Sequence, residues 1–273
     1  MSLYNRTEKR RQESTHLVNE LKTQFKMLQQ HKNIFEQLRA TNMAASTDEL
    51  IIIISSTKGL CGGYHESLRK FLNSRTKQAT NTPDLIKVGQ KTHLICRTTY
   101  TNAPCVKEIE LLSTANIHTV AREIMEFIYE KNYKIVRLFS NRFINFFSYK
   151  STETILYPFS QLSESDAREQ TVRHILSFNQ KNESLPQLSH YSEEFNLEQS
   201  EDLISKQIIE QYGIALLTNL LLEALMAEQS ARFVSMDAAT KNASSALEKL
   251  KLQCNKLRQT LITREVAELS RAL

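Results

Sequence analysis

Leu50-Ile51-Ile52-Ile53-Ile54 runs directly into Ser55-Ser56-Thr57-Lys58-Gly59-Leu60-Cys61-Gly62-Gly63. A β-branched run with no polar alternation reads as a central parallel strand, buried on both faces. The glycine-rich segment reads as a tight turn, and a helix is expected over residues 64–74. Strand, turn and helix together open a βαβ unit.

Working downstream, Leu85-Ile86-Lys87-Val88 is a second strand, with Gly89 opening a turn. Residues 93–96 and 106–111 are weaker strand candidates. Residues 117–131 form an amphipathic helix with Ile117, Val120, Ile124 and Ile128 on one face. Ile135-Val136-Arg137-Leu138-Phe139 is a third strand. A Ser/Asn link then leads to residues 143–149 and 154–159, read as an edge hairpin where Pro158 is tolerated. Alternating strands and helices predict an α/β layer domain. Residues 160–200, rich in Ser, Glu, Gln and Asn, read as a polar connection with one short helix.

Helices flank this domain. Residues 202–273 hold no proline and one glycine, Gly213. As one helix they form a rod on the order of 100 Å long at 1.5 Å per residue. No core of this chain can cover such a rod, so it must project and be gripped by something else. Leu216, Leu220 and Ala224 lie four apart. Lower down, Ala243, Leu247, Leu250, Cys254, Leu257 and Leu261 keep an alternating four-three spacing, which then shifts to Ile262, Val266, Leu269 and Leu273. Residues 15–40 are also expected to be helical. Val18, Leu21, Phe25, Leu28 and Phe35 form a short coiled-coil stripe, broken by Lys32. A helix this polar needs a partner, and the rod is the obvious one.

Bulk numbers exclude several classes. With 41% hydrophobic and 24% charged residues the chain is not disordered. Five glycines and four prolines favour long helices. The four cysteines (Cys61, Cys96, Cys105, Cys254) show no paired close spacing, which argues for reduced thiols. No apolar run approaches the 18 or so residues of a membrane span. Glu8 and Glu13 interrupt the basic N-terminal residues, unlike a transit peptide. The net charge of +5 is uneven: residues 1–40 carry eight Lys/Arg against four Glu, and residues 241–273 seven against three. Both ends therefore suit an acidic partner: nucleic acid, anionic lipid or an acidic protein surface.

A search for chemistry finds little. The Gly59–Gly63 turn is neither G-x-G-x-x-G nor a P-loop, so glycines serving a tight turn are the favoured reading. Cys61 has no activating His or acid placed by sequence. The seven histidines are scattered, without ligand pairs. Glu193-Glu194 sits in the polar connection and reads as solvated.

Three stretches together resemble one family, the gamma subunit of F-type ATP synthases. The strand and turn from Ile53 to Gly63 are similar to its strand followed by G-L-C-G. Ser140-Asn141-Arg142-Phe143-Ile144-Asn145 is similar to its S-N-K/R-F-x-N segment. Glu228-Gln229-Ser230-Ala231-Arg232-Phe233-Val234-Ser235-Met236-Asp237-Ala238-Ala239-Thr240-Lys241-Asn242-Ala243 resembles E-x-x-A-R-x-x-A-M-x-x-A-T-x-N-A. The likeness continues through Asn255-Lys256-Leu257-Arg258-Gln259 and Ile262-Thr263-Arg264-Glu265. It covers roughly residues 50–273. Residues 1–45 depart from the family's first-helix pattern, and Gly59 arrives about twenty to thirty residues early, so that helix is expected to be divergent or truncated.

The resemblance implies an α/β fold: a Rossmann-like domain (residues 46–200) between an N-terminal helix (1–45) and a long C-terminal helix (201–273), the two helices forming an antiparallel coiled coil. It implies the central-stalk rotor of a proton-translocating synthase, coupling ion flow to conformational cycling of the catalytic subunits. The chain itself would be non-catalytic and hold no cofactor, and its domain would bind no nucleotide. Its partners would be the alpha and beta subunits, the epsilon subunit and the c-subunit ring, with no nucleic acid. It would lie peripherally on the cytoplasmic face of a bacterial inner membrane, or on the matrix side of the mitochondrial one. Arg258, Gln259 and Thr263 would contact catalytic-subunit loops; Arg232, Met236, Asn242 and Leu269 would belong to the shaft. The alternatives are a gamma paralogue acting as a non-rotary coiled-coil interaction protein and, more weakly, a nucleotide-binding enzyme using the Gly59–Gly63 turn.

Overall fold

The computed structural model describes residues 2–30, 47–76, 82–101, 103–131, 133–157 and 201–272. The elements are α1 (Ser2–Gln30), β1 (Thr47–Ile54), α2 (Tyr64–Thr76), β2 (Asp84–Val88), α3 (Thr92–Thr99), β3 (Cys105–Ile109), α4 (Ile117–Lys131), β4 (Tyr133–Asn145), β5 (Ser148–Tyr157) and α5 (Glu201–Ala272). The strands form one sheet in the order β3-β2-β1-β4-β5. β1 pairs parallel with β2 and β4, β2 pairs parallel with β3, and β4 and β5 pair antiparallel.

β1 is central and its aliphatic run divides between two cores. Ile51 and Ile53 pack with Leu85 and Phe139 against Leu68 and Leu72 of α2 and Ile95 and Cys96 of α3. Leu50, Ile52 and Ile54 face the other way, with Val136 and Leu138, onto α4 and the Tyr212–Ala224 part of α5. Side chains alternate across a strand, so only a strand covered on both faces uses isoleucine at every position. The result is a three-layer α/β/α sandwich.

Two sequence expectations are corrected. Residues 93–96 are not a strand but the middle of α3, whose buried Thr92, Ile95 and Cys96 follow helical spacing. The Ser140-Asn141 segment is not a link: β4 runs through it to Asn145 and pairs with β5 as far as Ser148. The hairpin therefore begins at the third strand itself, and its turn lies at Phe146 and Phe147. Residues 160–200, with their expected short helix, lie outside the described residues.

α1 starts at Ser2, well before residue 15. Nothing in its first turns breaks a helix, and Arg11 pairs with Glu8 at 2.8 Å. It packs on α5: Val18 is buried in the shared core, Leu21 packs against it, and the Thr15 hydroxyl donates to Asn219 Oδ1 at 3.2 Å. The other members of the predicted stripe have side chains outside the described residues.

α5 is one uninterrupted helix of 72 residues with two environments. From Tyr212 to Ala231 most positions are buried, while residues 236–270 are exposed at every position. The bare segment is about 50 Å long. An 18-residue window of this helix is, contrary to expectation, long and apolar enough by composition to cross a membrane; 72% of it is buried inside the chain, as a core helix would be.

Gly89 fixes how the sheet meets its loops. Its φ is +94, and a Cβ there would sit within contact distance of Ser55 O, 2.9 Å from Ser55 C and 3.0 Å from Ser56 O. Gly89→Ala combines left-handed backbone strain with a backbone clash and is expected to destabilise the fold by roughly 3 kcal/mol. A lowered urea midpoint with an unchanged m-value would record it.

Candidate functional site

The three motif stretches, far apart in sequence, meet where α5 leaves the sandwich. The turn after β1 wraps one side of the helix. Glu228, buried on α5, accepts long hydrogen bonds from the Thr57 and Lys58 amides, both at 3.4 Å. One turn on, Arg232 pairs with Glu228 and its Nε donates to Gly59 O at 3.4 Å. A carboxylate from α5 thus meets the amides that open the turn. Glu228 thereby satisfies two amides at the start of the turn from within the protein.

Small residues permit the approach. Ala227 and Ala231 pack with Cys61 and Tyr64 in a separate buried cluster. Gly62, at φ +54, faces Ser235: a Cβ on it would lie 3.6 Å from the serine side chain. Tyr64 is fully buried, and its hydroxyl donates to Ala224 O at 3.2 Å. Burial, reinforced by the negative charge of Glu228, keeps that phenol protonated far above its ordinary range. Burial also raises the Cys61 thiol, against the pull of Arg232. Cys61 is therefore a packed thiol here, not a thiolate nucleophile.

Asn141 is the hub behind the turn. Its Nδ2 donates to Tyr64 O at 2.9 Å, and its Oδ1 accepts from Ser151 at 2.6 Å and Ser67 at 3.4 Å. An asparagine inside a buried strand needs such partners on both ends of its amide.

His65 ties the turn's two ends. Nδ1 lies 2.9 Å from Ser55 Oγ, and Nε2 lies 3.0 Å from Ser56 Oγ, whose own proton goes to Lys58 O. The neutral ring fits: Nε2–H donates to Ser56 and Nδ1 accepts from Ser55. Burial, then the positive charge of Lys91, holds the imidazole below its ordinary value of 6.5. The unfolded chain consequently binds more protons below about pH 6.5, so this contribution is present above that pH and lost as pH falls through the folded value. Urea unfolding of the wild type at pH 7.5 and 5.5 should show an acid loss that His65→Gln reduces.

On the other side of α5, the β4–β5 hairpin makes contact. Arg142 Nε lies 2.9 Å from Glu223 Oε2, the Ser230 hydroxyl donates to Phe146 O, and the Phe146 and Phe233 rings meet edge-to-face at 4.9 Å.

Of the residues that the resemblance assigns to catalytic-subunit contacts and the shaft, only Arg232 belongs to this junction. Met236 and Asn242 lie just beyond it, exposed. Arg258, Gln259, Thr263 and Leu269 stand on the bare rod, with the Thr263 hydroxyl turned back to Gln259 O at 2.8 Å. Leu250 and Leu269 are 62% and 68% exposed. Sequence reading missed Glu223, Glu228 and Tyr64 as functional. The i, i+4 pairing of Glu228 and Arg232 was the available signal for one of them.

Among the described residues no group of His, Cys, Asp or Glu is arranged to hold a metal ion. The contacts described fix the long helix α5 to the domain.

The ATP synthase family profile matches residues 1–272. The ATP synthase gamma chain of Clostridium novyi is 30% identical over 222 residues, spanning 81% of this chain and 70% of that one. The ATP synthase gamma chain of Mycoplasma mobile is 28% identical over 223 residues, spanning 81% and 69%. A chain of the Euglena gracilis mitochondrial ATP synthase, solved as an OSCP/F1/c-ring assembly in rotational state 3, shares the fold with a TM-score of 0.56. That likeness covers 98% of this chain and 92% of that one, at 14% identity. A profile match along almost the whole length, together with the gripped and projecting helix, leads to one statement: the chain belongs to the ATP synthase gamma-chain family.

Proposed function

We propose that the chain is the central-stalk rotor of a proton-translocating F-type ATP synthase. In this reading it is a non-catalytic subunit that carries torque between a membrane ring of c subunits and a ring of catalytic beta and non-catalytic alpha subunits. The observation that carries it is the bare half of α5. Residues 236–270 are exposed at every position while presenting Leu247, Leu250, Leu257, Leu261, Ile262, Val266 and Leu269. Each large aliphatic side chain left in water forgoes about 1.5–3 kcal/mol of burial, so such a helix is built for a sleeve supplied by other chains.

The rod's charges suit a sleeve within which it turns. Lys241–Asp237 at 2.7 Å and Arg264–Glu268 at 2.9 Å are exposed i, i+4 pairs. Pairs of that kind are worth only about 0.3–0.5 kcal/mol each, and are readily exchanged for acidic loops outside. Arg258, Gln259 and Thr263 are proposed to meet the catalytic-subunit loops, and Arg232, Met236, Asn242 and Leu269 to form the shaft. α1 is proposed to run antiparallel to α5 as a coiled-coil companion, supported by Thr15 lying against Asn219 and Val18 against the same core. The three-part division at residues 45 and 200 follows from the same reading. The globular domain would be the foot, beside the epsilon subunit and on the c ring, at the cytoplasmic face of a bacterial inner membrane.

Co-expression with alpha and beta subunits tests this. The chain should co-purify with them in a complex that hydrolyses ATP. Purification of the chain alone, with an alpha–beta ring formed beside it, would refute the reading.

A further inference from the structure

The contacts at the root of the shaft divide around the helix. Ala224, Ala227, Glu228, Ala231, Arg232 and Ser235, which meet the β1–α2 turn and Tyr64, lie along one face of the helix. Glu223, Ser230 and Phe233 meet the β4–β5 hairpin. At about 100° per residue, the second set centres roughly 140° from the first. The helix is therefore held from two well-separated sides at one level, immediately before all burial ends.

From this we infer that α5 leaves the domain through a two-jaw clamp. Glu223, Ser230 and Phe233, with Arg142 and Phe146 opposite them, are positioning residues that fix the angle of the shaft relative to the foot. The inference rests on the rotor reading. Contacts on one side alone leave a helix free to pivot about them, and apolar contacts have no preferred direction. Two separated jaws resist twisting as a couple, and directional contacts give that couple a single register. The second jaw combines three kinds of contact: an ion pair whose carboxylate side chain is 8% exposed, a hydroxyl-to-carbonyl bond, and an aromatic edge. They lie on the hairpin's tip and its approach, at Arg142 and Phe146, and the hairpin is the far edge of the sheet from β3.

The test uses assembled complexes containing this chain. The exposed Cys105 carries a bead through a maleimide linker, in a Cys254→Ser background that removes the other exposed thiol. With rotation stalled by a non-hydrolysable ATP analogue, the angular variance of the bead reports torsional stiffness. Glu223→Gln, Ser230→Ala and Phe233→Leu, singly and combined, should widen that variance while ATP turnover and complex yield stay unchanged. The swapped pair Arg142→Glu with Glu223→Arg should narrow it again relative to either single change. A role confined to folding would lower yield and leave the variance of surviving complexes as in the wild type. Unchanged variance in the combined variant overturns the clamp. If the wild-type bead never rotates with ATP, the rotor reading itself fails, and the clamp with it.

Discussion

Glu228→Ala is expected to lower the unfolding free energy of the chain by about 3 kcal/mol, at the low end for breaking a buried ion pair because Arg232 retains some water. The carboxylate side chain is 5% exposed and serves three donors: the Thr57 amide, the Lys58 amide and the Arg232 guanidinium. Alanine leaves two amides and the partly buried Arg232 cation without their acceptor, beside the cluster of Cys61, Tyr64, Ala227 and Ala231. Glu228→Gln keeps an acceptor for the turn and forfeits the charge, so it should fall between the two. Adding Arg232→Ala to Glu228→Ala should recover part of the loss, since it removes the stranded cation; the double-mutant cycle isolates that coupling. Urea titrations of the four proteins of the cycle, and of Glu228→Gln, provide the numbers. Additive losses would show that the pair is a surface feature, not the tie between shaft and turn.

Removal of the last twenty residues should separate folding from function completely. Residues 254–270 are exposed at every position and pack on no other element of the described chain. Losing such residues shifts stability by no more than about 0.5 kcal/mol. The same deletion removes Arg258, Gln259, Thr263 and Leu269 and strips the shaft of its distal apolar surface. In the proposed complex, ATPase activity should fall strongly. Denaturant midpoints of the isolated chain and ATPase rates of the complex, measured on one preparation, show the dissociation between the two. A destabilised chain with normal ATPase would reverse the assignment of this segment.

Much of the architecture was legible because two signals are physically unambiguous. A run of isoleucines at 51–54 can be buried at every position only in a doubly covered strand, and seventy residues without proline admit one long helix. Shorter signals misled. Four residues at 93–96 cannot distinguish strand from helix by period. The burial of Thr92 with Ile95 and Cys96 appears only once α3 is seen against the sheet. Ser140 and Asn141 read as a link because polar residues in a row suggest solvent. In β4 they are buried, and Asn141 is satisfied by Tyr64, Ser151 and Ser67, partners that sequence alone does not place beside it. The junction was hidden for the same reason. Glu228 lies 171 residues from Thr57, and the carboxylate that occupies the turn looks, in the sequence, like one more charge on a solvated helix. The resemblance supplied the motifs; only the fold brings them to one place, around the point where α5 leaves the domain.

The central claim, that this chain turns inside a ring of catalytic subunits, is tested most directly by watching it do so. With the ring fixed to a surface and a bead on Cys105, addition of ATP should produce sustained rotation in one direction, stopping when ATP is withdrawn. A complex that contains this chain and hydrolyses ATP while the bead only jitters about a fixed angle would contradict the account.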